Sequence, residues 1–295
     1  MTSRFSATAL DLSRVNRSAL WPEHSFAQIE IARLADLKAR FTAAGVPFDV
    51  EMLESDPSRI LQQSSGYREL LVRGAIDDAQ AAVLLAFASG HFLDRLGDLH
   101  GTARAEGEAD DRYRARIQLA PEAFSSAGTP GGYIYHAVSA SPLVRDVGLT
   151  VVNKATWDVG VEITILSSAG NGEPTDELMR LVRQRLLADE VRLATDNLMV
   201  RAAKVVPYDV TAVLQLRTGP DPALIKANAT TALQSAGERY KRVGGDVPRN
   251  ALEAALYVAG VERVVMAAPA ADVSTLRFEA AHLRTATITT EVIRD

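Results

Sequence analysis

Cysteine is absent from the 295-residue sequence. The chain therefore cannot form disulfides, thiolate nucleophiles, cysteine zinc sites or iron–sulfur clusters. Long apolar runs are absent as well, because the longest, Ala81 to Ala88, is shorter than the ~18 residues that a membrane span needs. Residues 1–14 lack the apolar core of a signal peptide. These absences predict a protein that is made in the cytoplasm and is not inserted into a membrane.

Charge of one sign is not in excess. The 32 Lys+Arg residues against 37 Asp+Glu residues give a net charge of −5, which provides no general attraction to nucleic-acid phosphates. Four basic residues cluster near the end of a predicted helix, where they suit the helix dipole: Arg239, Lys241, Arg242 and Arg249. We therefore expect no nucleic-acid partner. Salt-sensitive DNA binding would revive a nucleic-acid module as a third hypothesis.

Sequence motifs for cofactors and catalysis are missing. The chain has no P-loop, no dinucleotide fingerprint after a strand, no Gly-x-Ser-x-Gly and no His-Glu-x-x-His. Gly170-Asn171-Gly172 is interpreted as a loop. His91, Asp94 and Asp98 could share a helical face, but we interpret the two carboxylates as solvated and the histidine as half-buried. The sequence predicts no cofactor, no metal and no catalytic residue.

Apolar residues at helical spacing dominate the first 100 residues. The spacing predicts a helix over Ser25–Ala44, which Gly45-Val46-Pro47 ends, and a longer helical pattern from Arg59 to Ala88. One face of the longer pattern is formed by Tyr67, Leu70, Leu71, Gly74, Ala81, Leu84, Leu85 and Ala88. A further helical turn is predicted over Phe92–Gly97.

Strand patterns alternate with helices beyond Gly101. The predicted strands are Val144–Val152, Val159–Leu166, Val205–Leu216, Val261–Met266 and Thr285–Ile293. The predicted helices are Asp176–Glu190, Pro222–Arg242 and Asn250–Tyr257. This order predicts an α+β fold with an N-terminal helical arm followed by two small mixed α/β lobes. The predicted segments are 1–100 (helical arm), 101–172 (junction and first lobe), 173–244 (middle α/β segment) and 245–295 (C-terminal α/β segment).

Two parts of the sequence echo each other. In each, a short helix ends, at His136–Val138 and at Leu256–Val258, and a strand opens with Val-x-x-Val, at Val144 and at Val261. A second strand follows in both. Two interpretations stay open: two related α/β lobes, or chance recurrence of a short pattern.

Acidic residues gather between Glu106 and Asp111. Arginines interleave with them, at positions 104, 112, 114 and 116, which is typical of a charge-alternating helix surface. The alternative function is a carboxylate-dependent enzyme of unknown substrate, in which Glu108 and Asp110 would carry the chemistry.

Two segments are more specific than any of these patterns. The first segment, from Glu108 to Gly128, reads EADDRYRARIQLAPEAFSSAG, and the second consists of Gly245–Leu252 with Val258–Val261. Both resemble the baseplate J-like family, the wedge proteins of contractile phage tails and R-type pyocins. Upstream, Asp56-Pro57, Arg68-Glu69 and Leu93-Asp94-Arg95-Leu96-Gly97 stand where that family has its Asp-Pro, Arg-Glu and Leu-Asp-x-Leu-Gly elements. The resemblance extends from Glu54 to the C-terminus, and residues before it match poorly.

The resemblance implies a structural role without catalysis. Such proteins pair as homodimers within a wedge, and the wedges form a ring around the central spike. The implied partners are a second copy, other baseplate wedge proteins, and sheath-initiating and spike or hub proteins. The implied location is the cytoplasm during assembly and then the released phage or pyocin particle, where the protein would relay the contraction trigger.

Some residues are candidates for assembly or motion. Leu84 and Leu85, on the long apolar stripe, are predicted to contribute to self-association. The segment from Pro121 to Gly132 is predicted to be a hinge, with a plain connector loop as the alternative. Within it, Gly128, Gly131 and Gly132 are expected to permit a backbone change, and the ring of Phe124 is expected to be buried against one lobe.

Overall fold

The computed structural model describes residues 12, 15–47, 55–125, 128–153, 159–193, 195–217, 219 and 221–293. Most of the N-terminal segment that was tested for a signal peptide lies outside these residues. The chain forms two compact units, Asp11–Leu99 and His100–Asp295. The first is helical and the second holds two small mixed sheets, so the predicted α+β fold with an N-terminal helical region is confirmed. The division into four segments stays a prediction.

The first unit contains four helices in its described part: α1 (Arg17–Leu20), α2 (Phe26–Ala43), α3 (Pro57–Ala82) and α4 (Gly90–Leu99). Asp56 precedes α3, and its carboxylate accepts hydrogen bonds from the N–H groups of Ser58 and Arg59. Pro57 suits the first helical position because its missing N–H would have no helical partner there. The longer predicted helix therefore starts two residues early, and it ends at Ala82 rather than Ala88.

Polar side chains join α2 and α3. Arg33 Nη1 lies 2.8 Å from Glu69 Oε2, and Gln63 Nε2 donates to Glu30 Oε1 at 2.8 Å. The apolar side chains of α3 face outward instead: Ile60, Leu61, Tyr67, Leu71, Val72 and Ile76 are all at least 50% exposed. Tyr67 and Leu71, which belong to the predicted apolar stripe, are therefore not covered by the described part of this chain.

The second unit begins with helices α5 (Asp110–Ala123) and α6 (Pro130–Ser139), which lead into the first sheet. That sheet consists of β1 (Val144–Asn153), β2 (Val159–Ser167) and β3 (Asn197–Ala202), with α7 (Asp176–Leu186) crossing from β2 to β3. The central strand β2 runs antiparallel to β1 and parallel to β3. Its inner face packs against α6 and α7 around Ile134, Ile163, Ile165 and Val182.

The second sheet is formed by β4 (Lys204–Leu216), β5 (Val261–Ala268) and β6 (Glu279–Val292) in the order β5-β4-β6. Helices α8 (Pro222–Tyr240) and α9 (Arg249–Leu256) connect β4 to β5 and cover one face around Leu214, Leu233 and Leu252. The central strand β4 runs antiparallel to β5 and parallel to β6. The last strand starts at Glu279, six residues before its predicted start at Thr285.

The two sheets share one arrangement, in which a central strand has one antiparallel and one parallel neighbour. Helix α6 with β1 corresponds to α9 with β5, as the sequence echo predicted, and both strands lie at a sheet edge. The strand that follows differs, because β2 pairs with β1 whereas β6 pairs with β4 and not with β5. The echo therefore reflects a helix–strand unit that two differently connected lobes share.

Close backbone contacts join the lobes. A Cβ built on Gly148 in β1 would lie 2.5 Å from Val243 Cγ1, so glycine is required for this approach. The buried Asp146 carboxylate accepts a hydrogen bond from the Val243 N–H at 2.8 Å. Arg145 donates to the carbonyl oxygens of Glu238 and Lys241 on the same side. The two lobes of this unit therefore pack as one body.

Candidate functional site

The segment that carries the family resemblance folds around one buried carboxylate. Glu108 precedes α5, and its side chain is 0% exposed against Arg112 and Arg116, which lie one and two helical turns further along. Spacings of four residues place all three side chains on one face. We call Glu108, Arg104, Arg112 and Arg116 the arginine hub.

All of the hydrogen-bonding capacity of Glu108 is used. Oε1 accepts from Arg112 Nε at 3.1 Å and from Arg116 Nε at 2.8 Å. Oε2 accepts from Arg116 Nη2 at 2.6 Å and from the Ala105 N–H at 3.0 Å. Four donors around two oxygens satisfy a buried carboxylate completely, which compensates the cost of removing it from water.

The arginines extend the hub to other elements. Arg112 donates to the carbonyl oxygens of Val138 in the last turn of α6, of Ser141 just after it, and of Val144 at the start of β1. Arg116 donates to the Ala103 carbonyl at 2.7 Å and to Ser139 Oγ at 3.0 Å. Burial lowers the pKa of Arg112, although the charge of Glu108 opposes this shift. The hub therefore fixes α5 against the corner where α6 becomes β1.

An aromatic ring lies beside the hub. Tyr113 is fully buried, and its hydroxyl donates to the Thr102 carbonyl at 2.6 Å. The guanidinium carbon of Arg104 lies 4.5 Å from the centre of the ring, and that of Arg116 lies 5.6 Å away. These are cation–π distances, and they hold the loop before α5 against the helix.

The interpretation of this stretch as a charge-alternating surface is wrong for its central residues. Glu108 and Arg116 are buried, since they bond to each other and to the backbone. Asp110 and Asp111 do lie nearer the solvent and pair with Arg104 and Arg114. The spacing of Glu108, Arg112 and Arg116 indicates that they share one helical face. The carbonyl partners of Arg112, however, belong to residues that are distant in the sequence.

The predicted hinge segment is largely helical. Pro121 lies in the last turn of α5, and Gly131 and Gly132 lie buried in the first turn of α6. Residues 124–129 lie between the two helices, and 126 and 127 among them are outside the described part. Thr129 caps α6 by accepting from the Gly132 N–H, and the Glu122 carboxylate accepts from the Gly131 N–H at 2.9 Å.

Phe124 does not anchor this connector as predicted. Its side chain is 72% exposed, and its ring lies near Gly101. The expectation of a buried ring is wrong because α5 ends at Ala123 and Phe124, as the C-cap residue, lies on the solvent side. Gly128 has a φ of +59°, a conformation that glycine adopts readily.

A cavity of about 370 Å³ lies beside the connector. Its lining includes Tyr133, whose hydroxyl donates to Asp196 Oδ2 at 2.6 Å, and His136. Burial raises the pKa of Tyr133 to about 12 and lowers the pKa of His136 to about 4, so both side chains are neutral at pH 7. These contacts hold the segment after α7 against α6.

The other candidate residues lie in the first unit. Leu84 is 39% exposed and Leu85 is half-buried in the turn that follows α3. His91 is fully exposed rather than half-buried as predicted, because its position near the start of α4 points its side chain into solvent. No group of metal-ligating side chains is found in the described ranges. Nor, in that same portion of the chain, does any helix have the length and apolar character to cross a bilayer.

Comparisons with known proteins match both units. Residues 54–111 match the family model of the baseplate J-like N-terminal domain, and residues 208–289 match that of the baseplate J-like protein C-terminal domain. The chain is 37% identical over 236 residues to "Baseplate protein J" of Escherichia phage P2. That alignment covers 75% of this chain and 77% of the relative. The first matched range ends inside the arginine hub.

Proposed function

The chain belongs to the baseplate J-like family and is a structural protein of a contractile phage-tail baseplate, and we propose that two copies of the chain pair within the baseplate through the exposed face of the helical unit. Incorporation into the tail makes it part of the virion. The proposed sequence of events is synthesis and pairing in the cytoplasm, followed by assembly of the pairs into wedges.

One observation supports the pairing above all others. Helix α3 and the turn after it leave large apolar side chains in water, including Ile60, Leu61, Leu71, Val83 and Leu84. Removing apolar surface from water lowers the free energy, and a contiguous exposed apolar patch is typical of a protein–protein interface. The wedge is the proposed site where this face is covered.

The further partners are proposals that follow from the family. We infer contacts with other wedge proteins and with sheath-initiating and spike or hub proteins. The rigid contact between the two lobes suits a subunit that transmits displacement as one body. Relay of the contraction trigger, and a role for residues 121–132 in it, remain part of the proposal.

Leu84 and Leu85 provide the test of the pairing. Changing both to Asp places two charges on the face, so we expect the full chain to sediment as a smaller assembly than the unmodified chain and to enter tails poorly. Leu187→Asp is the matched control, because Leu187 is 44% exposed in the other unit. Circular dichroism checks that both variants fold. A folded Leu84→Asp, Leu85→Asp chain that sediments like the unmodified chain and enters tails normally would contradict the proposal.

The alternative function, a carboxylate-dependent enzyme, is not supported by the surroundings of Glu108. Both oxygens of its carboxylate accept hydrogen bonds from arginines and from a backbone N–H, so neither is available to accept a proton from a substrate. Electron microscopy of intact tails, with this chain located at the baseplate, tests the structural role independently of pairing.

A further inference from the structure

The β6 edge of the second sheet lacks the features that usually prevent edge strands from pairing with other chains. Beyond Ala280, which bridges to Val243, no strand in the described part of the chain pairs with the outer edge of β6. Native edge strands are usually short, charged, interrupted by proline or covered. β6 is 14 residues long, and its last stretch, Thr285–Val292, carries one charge and no proline.

The backbone of this stretch presents unpaired groups to solvent. The Ile293 N–H donates to the Leu216 carbonyl of β4. Because successive residues of a strand point their N–H and C=O groups to opposite sides, those of Ala286, Ile288 and Thr290 point away from β4. They form a row of donors and acceptors at the spacing that another strand needs.

Charge at the two ends of the stretch selects the strand that would pair there. Arg284 is the extra residue at a register shift, since Tyr208 pairs with Leu283 and Asp209 with Thr285. Its guanidinium lies on the outer face beside Asp209 and is 62% exposed. Glu291 lies on the same face at the other end, and only neutral residues separate the two. Such a segment is self-complementary when a second copy runs antiparallel to it.

We propose that the β6 edges of two copies of this chain pair antiparallel across a two-fold axis at Thr287, which joins their sheets into one of six strands. Thr285 then lies opposite the second copy's Thr289, and Glu291 lies opposite the second copy's Leu283–Arg284 shift. Each Glu291 carboxylate therefore meets an arginine of the other copy. The interface is isologous, as a two-fold axis requires. It is separate from the proposed α3 contact, so either can fail without the other.

A single introduced cysteine tests the register, because the chain has none of its own. At the axis, Thr287 opposes its own copy in a pair without mutual hydrogen bonds, where Cα atoms lie about 4.5 Å apart, within the range for a disulfide. Thr211 is the matched control: it is exposed, it lies beside Thr287 on β4, and its Cα would be about 14 Å from the second copy's Thr211.

We expect the full-length Thr287→Cys chain to form a disulfide-linked dimer under mild oxidation and the Thr211→Cys chain to form at least about tenfold less. Adding Thr290→Pro should lower cross-linking by about tenfold, because proline removes an outward donor while remaining compatible with an edge strand. In the Leu84→Asp, Leu85→Asp background, which lacks the proposed α3 contact, Glu291→Arg places like charges together and should weaken dimerisation in sedimentation by about tenfold. This substitution should leave the fold intact, because Glu291 is exposed.

Three results would overturn the proposal: no disulfide at position 287, equal cross-linking at 287 and 211, or dimerisation in the Leu84→Asp, Leu85→Asp background that Glu291→Arg leaves unchanged. The Leu84→Asp, Leu85→Asp variant distinguishes the two interfaces. If it abolishes pairing through α3 but keeps the 287 cross-link, both proposals stand. If the cross-link is absent in a chain that still dimerises through α3, the β6 pairing fails alone.

Discussion

At the scale of single residues, the buried carboxylate of the arginine hub carries the largest expected effect. Glu108→Ala would leave Arg116 and Arg112 buried without their counter-charge. Breaking a buried pair by removing one partner costs about 3–5 kcal/mol, so the free energy of unfolding measured with urea should fall by that amount. Glu106→Ala is the control, because Glu106 is exposed and should stay within about 0.5 kcal/mol. Equal effects of the two changes would contradict a structural role for the hub.

His136 should make the protein sensitive to acid. Burial lowers the pKa of its imidazole to about 4, below the ordinary value of 6.5. Between these values the unfolded chain binds a proton and the folded chain does not. This contribution to stability is therefore complete above pH 6.5 and is lost as the pH falls towards 4.

Urea unfolding at neutral pH and at about pH 5 measures this effect. We expect His136→Gln to lose less stability on acidification than the unmodified protein. His91→Gln serves as the control, since the His91 side chain is fully exposed. An unchanged acid response of the His136→Gln variant would show that other groups determine it.

Part of this residue-level chemistry could be predicted from the sequence. The four-residue spacing of Glu108, Arg112 and Arg116 already placed them on one helical face. The sequence could not show that this face is buried, because the partners at Val138 and Val144 come close only through the fold. A charged run is usually solvated, and here tertiary contacts overrode that expectation.

At the scale of elements, the α5–α6 connection behaves as a capped turn. A Cβ on Gly131 would lie 2.1 Å from Glu122 Oε2, so Gly131→Ala must displace the carboxylate that accepts its own N–H. Loss of a hydrogen bond to a charged group costs about 1.5–3 kcal/mol. The preference for alanine within a helix, about 0.5–1 kcal/mol, offsets part of this loss. We therefore expect thermal or urea unfolding to show a net loss of about 1–2 kcal/mol, contrary to the near-neutral effect expected of a hinge glycine.

A double-mutant cycle shows whether the stability loss of Gly131→Ala comes from the steric clash between the new Cβ and the Glu122 carboxylate. In the Glu122→Ala background the clash is gone, and Gly131→Ala should cost little or even stabilise α6, since alanine is favoured over glycine within a helix by about 0.5–1 kcal/mol. Additive costs of the two changes would mean that Glu122 is not the reason for glycine at position 131.

Helices and strands with strong periodicity were predictable, and weakly patterned ones were not. β1 begins at its predicted residue, and α9 begins one residue earlier than predicted. β3 was missed because six half-exposed residues give no alternation. The start of α6 was missed because Pro130-Gly131-Gly132 is typical of a loop, whereas here proline occupies the first turn and the glycines allow close packing on α5.

At the scale of the whole molecule, the sequence predicted two α/β lobes but not how they join. Gly148 and Asp146 contact Val243, which lies about a hundred residues further along the chain. The hydrophobic periodicity of a sequence carries no information on contacts between such distant residues. The family resemblance supplied the function, since a baseplate role leaves no catalytic pattern for residue-level reasoning to find.

Asp146 provides the test of whether the two lobes move together. Asp146→Ala leaves the buried Val243 N–H without its carboxylate acceptor, which should cost about 1–3 kcal/mol. Hydrogen exchange at the Val243 amide should accelerate, and thermal unfolding should broaden as the lobes lose cooperativity. Asp111→Ala is the control, because its side chain is 98% exposed and its ion pair with Arg114 contributes little. If Val243 exchange stays slow in the Asp146→Ala chain, the Arg145 hydrogen bonds and the apolar contacts are sufficient to hold the lobes together. If it accelerates, the Asp146 contact couples the two sheets, and a force applied to one lobe reaches the other through this junction.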